Sequence, residues 1–140
     1  MAGEILLIVE DNPVNQKLLL LVLRQHGYQI FTASDGEEAV AAAHELHPDL
    51  ILMDLQLPKM NGYCAAQEIR NDPSAAGARI VALTAHAMAE ERTRAEQLGF
   101  DGYITKPVNT RTFPAQLRRI LDFPGPHFGT AEPPGVPKHD

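Results

Sequence analysis

The sequence contains a single cysteine, Cys64, which excludes an internal disulfide and leaves no second thiolate for a cysteine-based metal site. It has no apolar run approaching the ~18 uninterrupted residues that a membrane helix needs. It also lacks an excess of positive charge. Lysine and arginine total 12 against 18 acidic residues, for a net charge of −6, so broad attraction to nucleic acid or an anionic membrane is not expected. The first residues, Met1 to Glu4, run directly into the apolar stretch Ile5 to Val9 without a basic leader or small-residue cleavage site. No signal peptide is expected, and the chain is predicted to be cytoplasmic. What remains is 140 residues with 44% hydrophobic and 21% charged content. That suits one folded domain with one core.

Short apolar runs alternate with longer helical stretches. Ile5–Val9, Gln29–Thr32, Leu50–Met53, Ile80–Leu83 and Gly102–Thr105 read as five strands, rich in branched residues and bounded by polar ones. The spacing predicts helices from Pro13 to His26, from Asp35 to Pro48, from Asn61 to Arg70, from His86 to Leu98, and from near Thr112. Pro13 suits a first helical position and Gly27 a stop, while Asp35-Gly36-Glu37-Glu38 has capping-box spacing. Pro114 makes the last helix begin late, with Phe113, Leu117, Ile120 and Leu121 at helical spacing. Strands separated by helices imply a parallel sheet covered on both faces by right-handed crossovers. From residue 123 onward prolines and glycines accumulate, which predicts a Pro/Gly-rich flexible tail (123–140) after a domain spanning 1–122.

Ligands of an open parallel sheet sit beyond the carboxyl ends of its strands. Here the first strand leads into Glu10-Asp11, the third into Asp54, the fourth into Thr84 and the fifth into Lys106. Three carboxylates converging in one site repel unless a cation neutralises them, and Mg²⁺ favours a few carboxylates, a carbonyl and waters. Lys106 adds a second positive charge. Asp54, between metal and lysine, is placed to attack phosphorus, with Thr84 hydrogen-bonding a phosphoryl oxygen. Each residue alone has a duller reading. Asp54, Glu10-Asp11 and Thr84 could be turn or helix caps, Asn12 is a better cap still, and Lys106 could be a solvated cation. All of those readings would have to hold together on one edge of the sheet.

Ile8-Val9-Glu10-Asp11-Asn12, Leu52-Met53-Asp54-Leu55-Gln56-Leu57-Pro58-Lys59-Met60-Asn61-Gly62, Ala82-Leu83-Thr84-Ala85 and Tyr103-Ile104-Thr105-Lys106-Pro107, in this order and spacing, resemble response-regulator receiver domains of two-component systems. The resemblance covers Glu4 to Asp122. It implies a doubly wound α/β fold with five parallel strands in the order 2-1-3-4-5, the flavodoxin-like arrangement. It implies Asp54 as phosphoacceptor, Asp11 and, through water, Glu10 as Mg²⁺ ligands, and the Gln56 carbonyl as a further ligand. Lys106 would sense the phosphoryl group, with Lys106-Pro107 a cis peptide. Thr84 and Tyr103 would form the switch pair that reshapes the surface of the fourth helix, fifth strand and fifth helix. Gln56 and His86 would tune phosphoryl lifetime, although His86 reads equally well as an exposed helix-start residue.

The same resemblance implies a histidine kinase or histidine phosphotransfer protein as phosphohistidine donor, a downstream protein target, and no enzymatic activity beyond the domain's own phosphorylation and dephosphorylation. Homodimerisation is left open. With only the Pro/Gly-rich stretch after Asp122, the chain is expected to act as a stand-alone relay or as a receiver of hybrid-kinase type, without a DNA-binding output domain. Leu18 to Leu23 is six apolar residues in a row. It reads either as a wide core-facing stripe or as a surface on which a donor docks. Two enzyme readings fit the residues less well. An aspartate-nucleophile phosphatase would want an acid where Gln56 stands, and a flavin protein a hydroxyl- and glycine-rich loop where Glu10-Asp11 stand. The intact acidic pair, Asp54, Thr84 and Lys106 argue against a pseudo-receiver that only binds partners.

Overall fold

The computed structural model describes residues 3–57, 59–85 and 89–123. Strands β1 (Ile5–Val9), β2 (Gln29–Ala33), β3 (Leu50–Asp54), β4 (Arg79–Thr84) and β5 (Gly102–Thr105) alternate with helices α1 (Pro13–Arg24), α2 (Gly36–Leu46), α3 (Gly62–Arg70), α4 (Ala89–Gln97) and α5 (Phe113–Asp122). All strand pairs are parallel, in the order β2-β1-β3-β4-β5. This is the doubly wound order expected of the sequence. The residues beyond Phe123, where the tail is expected, lie outside the described residues, as does His86.

Alternation along each strand builds two cores. Leu6, Ile8, Leu50, Leu52, Val81, Leu83 and Ile104 pack with Leu19 and Leu23 of α1 and Phe113, Leu117 and Ile120 of α5. The intervening residues, Leu7, Val9, Ile51, Met53, Ile80 and Ala82, pack with Ala39 and Ala43 of α2, Ala65, Ala66 and Ile69 of α3, and Ala95 of α4. Every strand residue from Leu50 to Asp54 is buried, because β3 is central and both its faces are covered. Each buried Leu or Ile side chain contributes about 1.5–3 kcal/mol relative to exposure.

Helix α1 ends earlier than the sequence suggests. Arg24 is its last residue, and His26 and Gly27 close a turn back onto Leu23 and Arg24, with Gly27 at φ 82°. Gly27 is the stop the sequence announces, but the closing turn includes Gln25 and His26, so the helix ends two residues before the expected His26. The long apolar run also resolves into two faces. Leu19 and Leu23 are buried, whereas Leu18 and Leu21 remain 43% and 51% exposed, and Val14 of the same helix 75%.

Opposite the carboxyl ends of the strands, Arg118 of α5 lies 2.7 Å from Glu4, just before β1, and 2.8 Å from Asp122. Hydrogen bonds from its guanidinium hold both carboxyls below the usual carboxylate range. A carboxylate with a depressed pKa stabilises the fold above its unfolded pKa and loses that contribution as pH falls through the folded value. Arg118→Met is therefore expected to lower stability at neutral pH, with the deficit shrinking below about pH 4. Urea unfolding at several pH values measures this, and a deficit independent of pH would show that the two carboxylates are not what Arg118 stabilises.

Candidate functional site

Register brings the chemistry-bearing residues to one edge. Val9 pairs with Met53, Asp54 with Leu83, and Thr84 with Thr105, so Glu10, Asp54, Thr84 and Lys106 stand on neighbouring rungs at the carboxyl ends of β1, β3, β4 and β5. Local structure explains how each is exposed to the others. Asn12 caps α1, its Oδ1 accepting from the N–H groups of Val14 and Asn15, which turns the chain sharply after Glu10-Asp11. Gly62 lets the β3–α3 loop fold back, since a Cβ there would lie 2.5 Å from the Asp54 carbonyl oxygen. Gly36 does the same on the other side, where a Cβ would collide with the Met60 backbone.

Lys106 is the electrostatic centre of the site. Its Nζ donates to Asp54 Oδ2 at 2.8 Å and lies 3.1 Å from Glu10 Oε1. The Lys106–Pro107 peptide is cis. The Glu10 and Asp54 carboxylates are buried. Burial, then the nearby Asp54 charge, pushes the Glu10 pKa up, and Lys106 only partly offsets this. Burial also works against the Lys106 charge, but its bonds to Asp54 and Glu10 prevail and raise its pKa. The other Asp54 oxygen, Oδ1, accepts the Gln56 N–H at 2.9 Å. Glu10 Oε2 accepts the Asn12 N–H at 3.2 Å, and Gln16 Nε2 donates to the Glu10 carbonyl at 3.0 Å.

The donor set suits a hard divalent cation. Glu10, Asp11 and Asp54 each offer a carboxylate oxygen, all within 4.8 Å of one another, the one such group among the described residues. Glu10 Oε1 is buried without a hydrogen bond, the ammonium near it being close but poorly aligned. Three carboxylates against one ammonium leave the cluster with negative charge that a further cation would offset. Asp11 is exposed, which leaves the cluster open to solvent and to incoming waters. An all-oxygen, carboxylate-rich site with room for water matches Mg²⁺ better than a transition metal.

A second group adjoins the first. The Thr84 hydroxyl donates to Glu91 Oε1 at 3.4 Å, and Tyr103 Oη donates to the same oxygen at 3.3 Å. Thr84 is buried and Tyr103 half-buried. Burial, and then the Glu91 charge, moves the Tyr103 phenol up to about 12. The structure thus gathers Glu10, Asp11, Asp54, Lys106 and the Gln56 backbone into one cluster, with Thr84 and Tyr103 meeting beside it on α4. The Gln56 side chain is exposed. Sequence reasoning missed Glu91 and Gln16. Glu91 lies seven residues after Thr84, beside an equally acidic Glu90, and nothing in the sequence separates the two.

The family model for the response regulator receiver domain matches residues 6–118. The polar-differentiation response regulator DivK of Brucella ovis is 36% identical over 115 residues, which are 82% of this chain and 94% of that protein. A protein named as a probable transcriptional regulator, ycf27 of Guillardia theta, is 38% identical over 84% of this chain, but the chain spans only 45% of its length. Among solved structures, the receiver domain of a Pseudomonas aeruginosa sensor histidine kinase superposes with a TM-score of 0.80 at 38% identity, covering 87% of this chain and 100% of that one. It carries a magnesium ion coordinated in its active-site cleft. The chemotaxis protein CheY4 of Vibrio cholerae gives 0.80 at 28% identity, covering 85% and 99%. No helix among the described residues is long and apolar enough to cross a membrane.

Replacing Lys106 by Met leaves Glu10 and Asp54 facing each other without their shared ammonium. In chelator the variant is expected to lose about 1–3 kcal/mol at neutral pH. A carboxyl whose folded pKa is raised favours folding while protonated and opposes it once ionised. The deficit should therefore widen as pH rises from about 4 to 7. Urea unfolding across that range checks it, and a deficit that narrowed would contradict the arrangement.

Proposed function

The chain belongs to the response regulator receiver family, and on that premise we propose that it is a phosphorylatable signalling switch whose phosphoacceptor is Asp54. The observation that carries this reading is the buried Asp54 carboxylate, with one oxygen 2.8 Å from Lys106 Nζ and the other on the Gln56 N–H at 2.9 Å. Both oxygens are oriented, and the neighbouring Asp11 is exposed. Phosphoryl transfer needs positioning and charge neutralisation more than covalent help from the protein.

The donor we propose is a phosphohistidine on a histidine kinase or histidine phosphotransfer protein. A lone pair of Asp54 attacks phosphorus, the P–N bond breaks, and its electron pair returns to the leaving imidazole. The product is an acyl phosphate on Asp54. Glu10, Asp11, Asp54 and the Gln56 carbonyl would hold Mg²⁺. When bound, it supplies positive charge that lets an anionic phosphoryl group approach three carboxylates. Lys106 then follows the new charge, its ammonium turning from the Asp54 oxygen to a phosphoryl oxygen. Thr84 gives its hydroxyl proton to another, and Tyr103 moves with it. Val14, Leu18 and Leu21 form an exposed apolar strip on α1 beside the acidic pair, which suits docking of the donor protein. Hydrolysis of the acyl phosphate, tuned by Gln56 and His86, resets the switch. A downstream protein reads the changed surface in the cytoplasm.

Two outcomes test this. Acetyl phosphate with Mg²⁺ is expected to add one phosphoryl group to the wild type, seen by intact mass, and none to Asp54→Asn; equal labelling of both removes the assignment. Mg²⁺ alone is expected to raise the wild-type melting temperature, because a ligand of the folded state stabilises it by RT ln(1 + [L]/Kd), about 2.7 kcal/mol at a hundredfold excess over Kd. Asp11→Asn should lose most of that shift, and an undiminished shift would move the metal elsewhere.

A further inference from the structure

We infer that Glu91 of α4 is a positioning residue that holds the Thr84 and Tyr103 hydroxyls in the resting state, competing with the phosphoryl group on Asp54 for the one proton Thr84 can donate. This rests on the reading of Asp54 as phosphoacceptor and goes further, naming what the switch is held by before phosphorylation.

A single carboxylate oxygen, Glu91 Oε1, accepts from Thr84 Oγ1 at 3.4 Å and from Tyr103 Oη at 3.3 Å. Each of these hydroxyls carries one proton. Thr84 cannot donate to Glu91 and to a phosphoryl oxygen at once. Thr84 is 1% exposed, so its hydroxyl is held away from bulk water and an ionised acceptor is worth more to it than a neutral one. The Tyr103 phenol, moved up to about 12 by burial and by Glu91, stays protonated and keeps donating at physiological pH. The Arg92 guanidinium lies 5.9 Å from the Tyr103 ring centroid, so the ring is covered by α4 as well as tied to it.

Glu91 sits in the first turn of α4. The bond from Thr84 therefore joins the end of β4 directly to the start of the helix that follows. A phosphoryl group brings about two negative charges and three acceptor oxygens, and it outbids one carboxylate oxygen already shared by two donors. When Thr84 turns to it, this bond between the end of β4 and the first turn of α4 is given up, while Tyr103 still donates to Glu91. The chemical event at Asp54 becomes a change in how the first turn of α4 is held.

The test is binding of the beryllium trifluoride anion, a phosphoryl mimic, in the presence of Mg²⁺. Removing the competitor, Glu91→Ala should bind roughly two- to tenfold more tightly than wild type, the net scale of one ordinary hydrogen bond. Glu90→Ala makes the same change in net charge and should match wild type. Glu91→Gln, which keeps an uncharged acceptor, should fall between wild type and Glu91→Ala. Equal or weaker binding by a Glu91→Ala protein that retains a cooperative unfolding transition overturns the inference. So does a Gln variant indistinguishable from the Ala variant, since charge alone would then account for the gain. A wild type that takes up no beryllium trifluoride overturns the reading of Asp54 and this inference with it.

Discussion

The site depends on one ammonium group reaching across a strand. In the order β2-β1-β3-β4-β5, Lys106 follows β5, whereas its partners Asp54 and Glu10 end β3 and β1. β4 lies between. The Lys106 N–H donates to the Thr84 carbonyl at 2.7 Å, which docks its backbone against β4, and its four-carbon stem then carries the charge over that strand end. A compact ammonium with three donors can serve two carboxylates and turn between them. The planar fork of arginine would fix one bidentate geometry. Without that charge, two buried acids meet across the sheet edge. The turn at Asn12 and the close packing at Gly36 and Gly62 have their chemical meaning only because the carboxylates they position are tolerated side by side.

The strand alternation that builds the two cores also separates chemistry from readout. Asp54 and Lys106 continue the series Leu50, Leu52 and Ile104, which faces α1 and α5. Thr84 continues Ile80 and Ala82, which face α2, α3 and α4, and Tyr103 takes the opposite side from Ile104. Asp54 thus belongs to the face where α1 exposes its apolar strip, and the two hydroxyls belong to the face that carries α4. Exchange between them is confined to the strand ends, where the sheet no longer separates the two sides. The phase of the strands sets Asp54 and Lys106 on the α1 side and Thr84 and Tyr103 on the α4 side.

The fold was legible because its strands are short, branched and flanked by turn chemistry, and because a parallel sheet with helical crossovers has few topologies open to it. The cluster was legible because acids and a lysine at successive strand ends have no shared structural purpose. Three things were not. Gly27 was read correctly as the stop of α1, but the turn that leads into its left-handed conformation takes up Gln25 and His26, so the helix proper ends at Arg24. The Leu18 to Leu23 run could not be assigned to a face, since six apolar residues cover more than half a helical turn of directions whichever way the helix is rotated. Glu91 was hidden because α4 has almost no apolar stripe, with Ala95 its one buried residue. A helix whose rotation is not announced by its sequence does not reveal which of two adjacent acids points inward. The Gln56 contribution is a backbone N–H, which any residue but proline could supply. The phosphatase and flavin alternatives were already weakened by Gln56 and Glu10-Asp11, and the family match removes them.

The resting site is nearly a closed circuit of donors and acceptors, and that is what makes it switchable. Lys106 and the Gln56 N–H occupy both Asp54 oxygens, the Asn12 N–H occupies one Glu10 oxygen, and Thr84 and Tyr103 share Glu91 Oε1. Glu10 Oε1 lies 3.1 Å from the Lys106 ammonium without an aligned hydrogen bond. The Thr84 hydroxyl has one proton, already given to Glu91, so a bond from it to an added acceptor replaces an existing one, whereas the Lys106 ammonium has three donors and can turn between acceptors. The gain from phosphorylation is then the difference between two sets of bonds rather than the sum of one. Such a difference is small, of the few-kcal/mol size at which both arrangements stay populated. A hydroxyl with a proton to spare would meet an added acceptor without giving up its bond to α4.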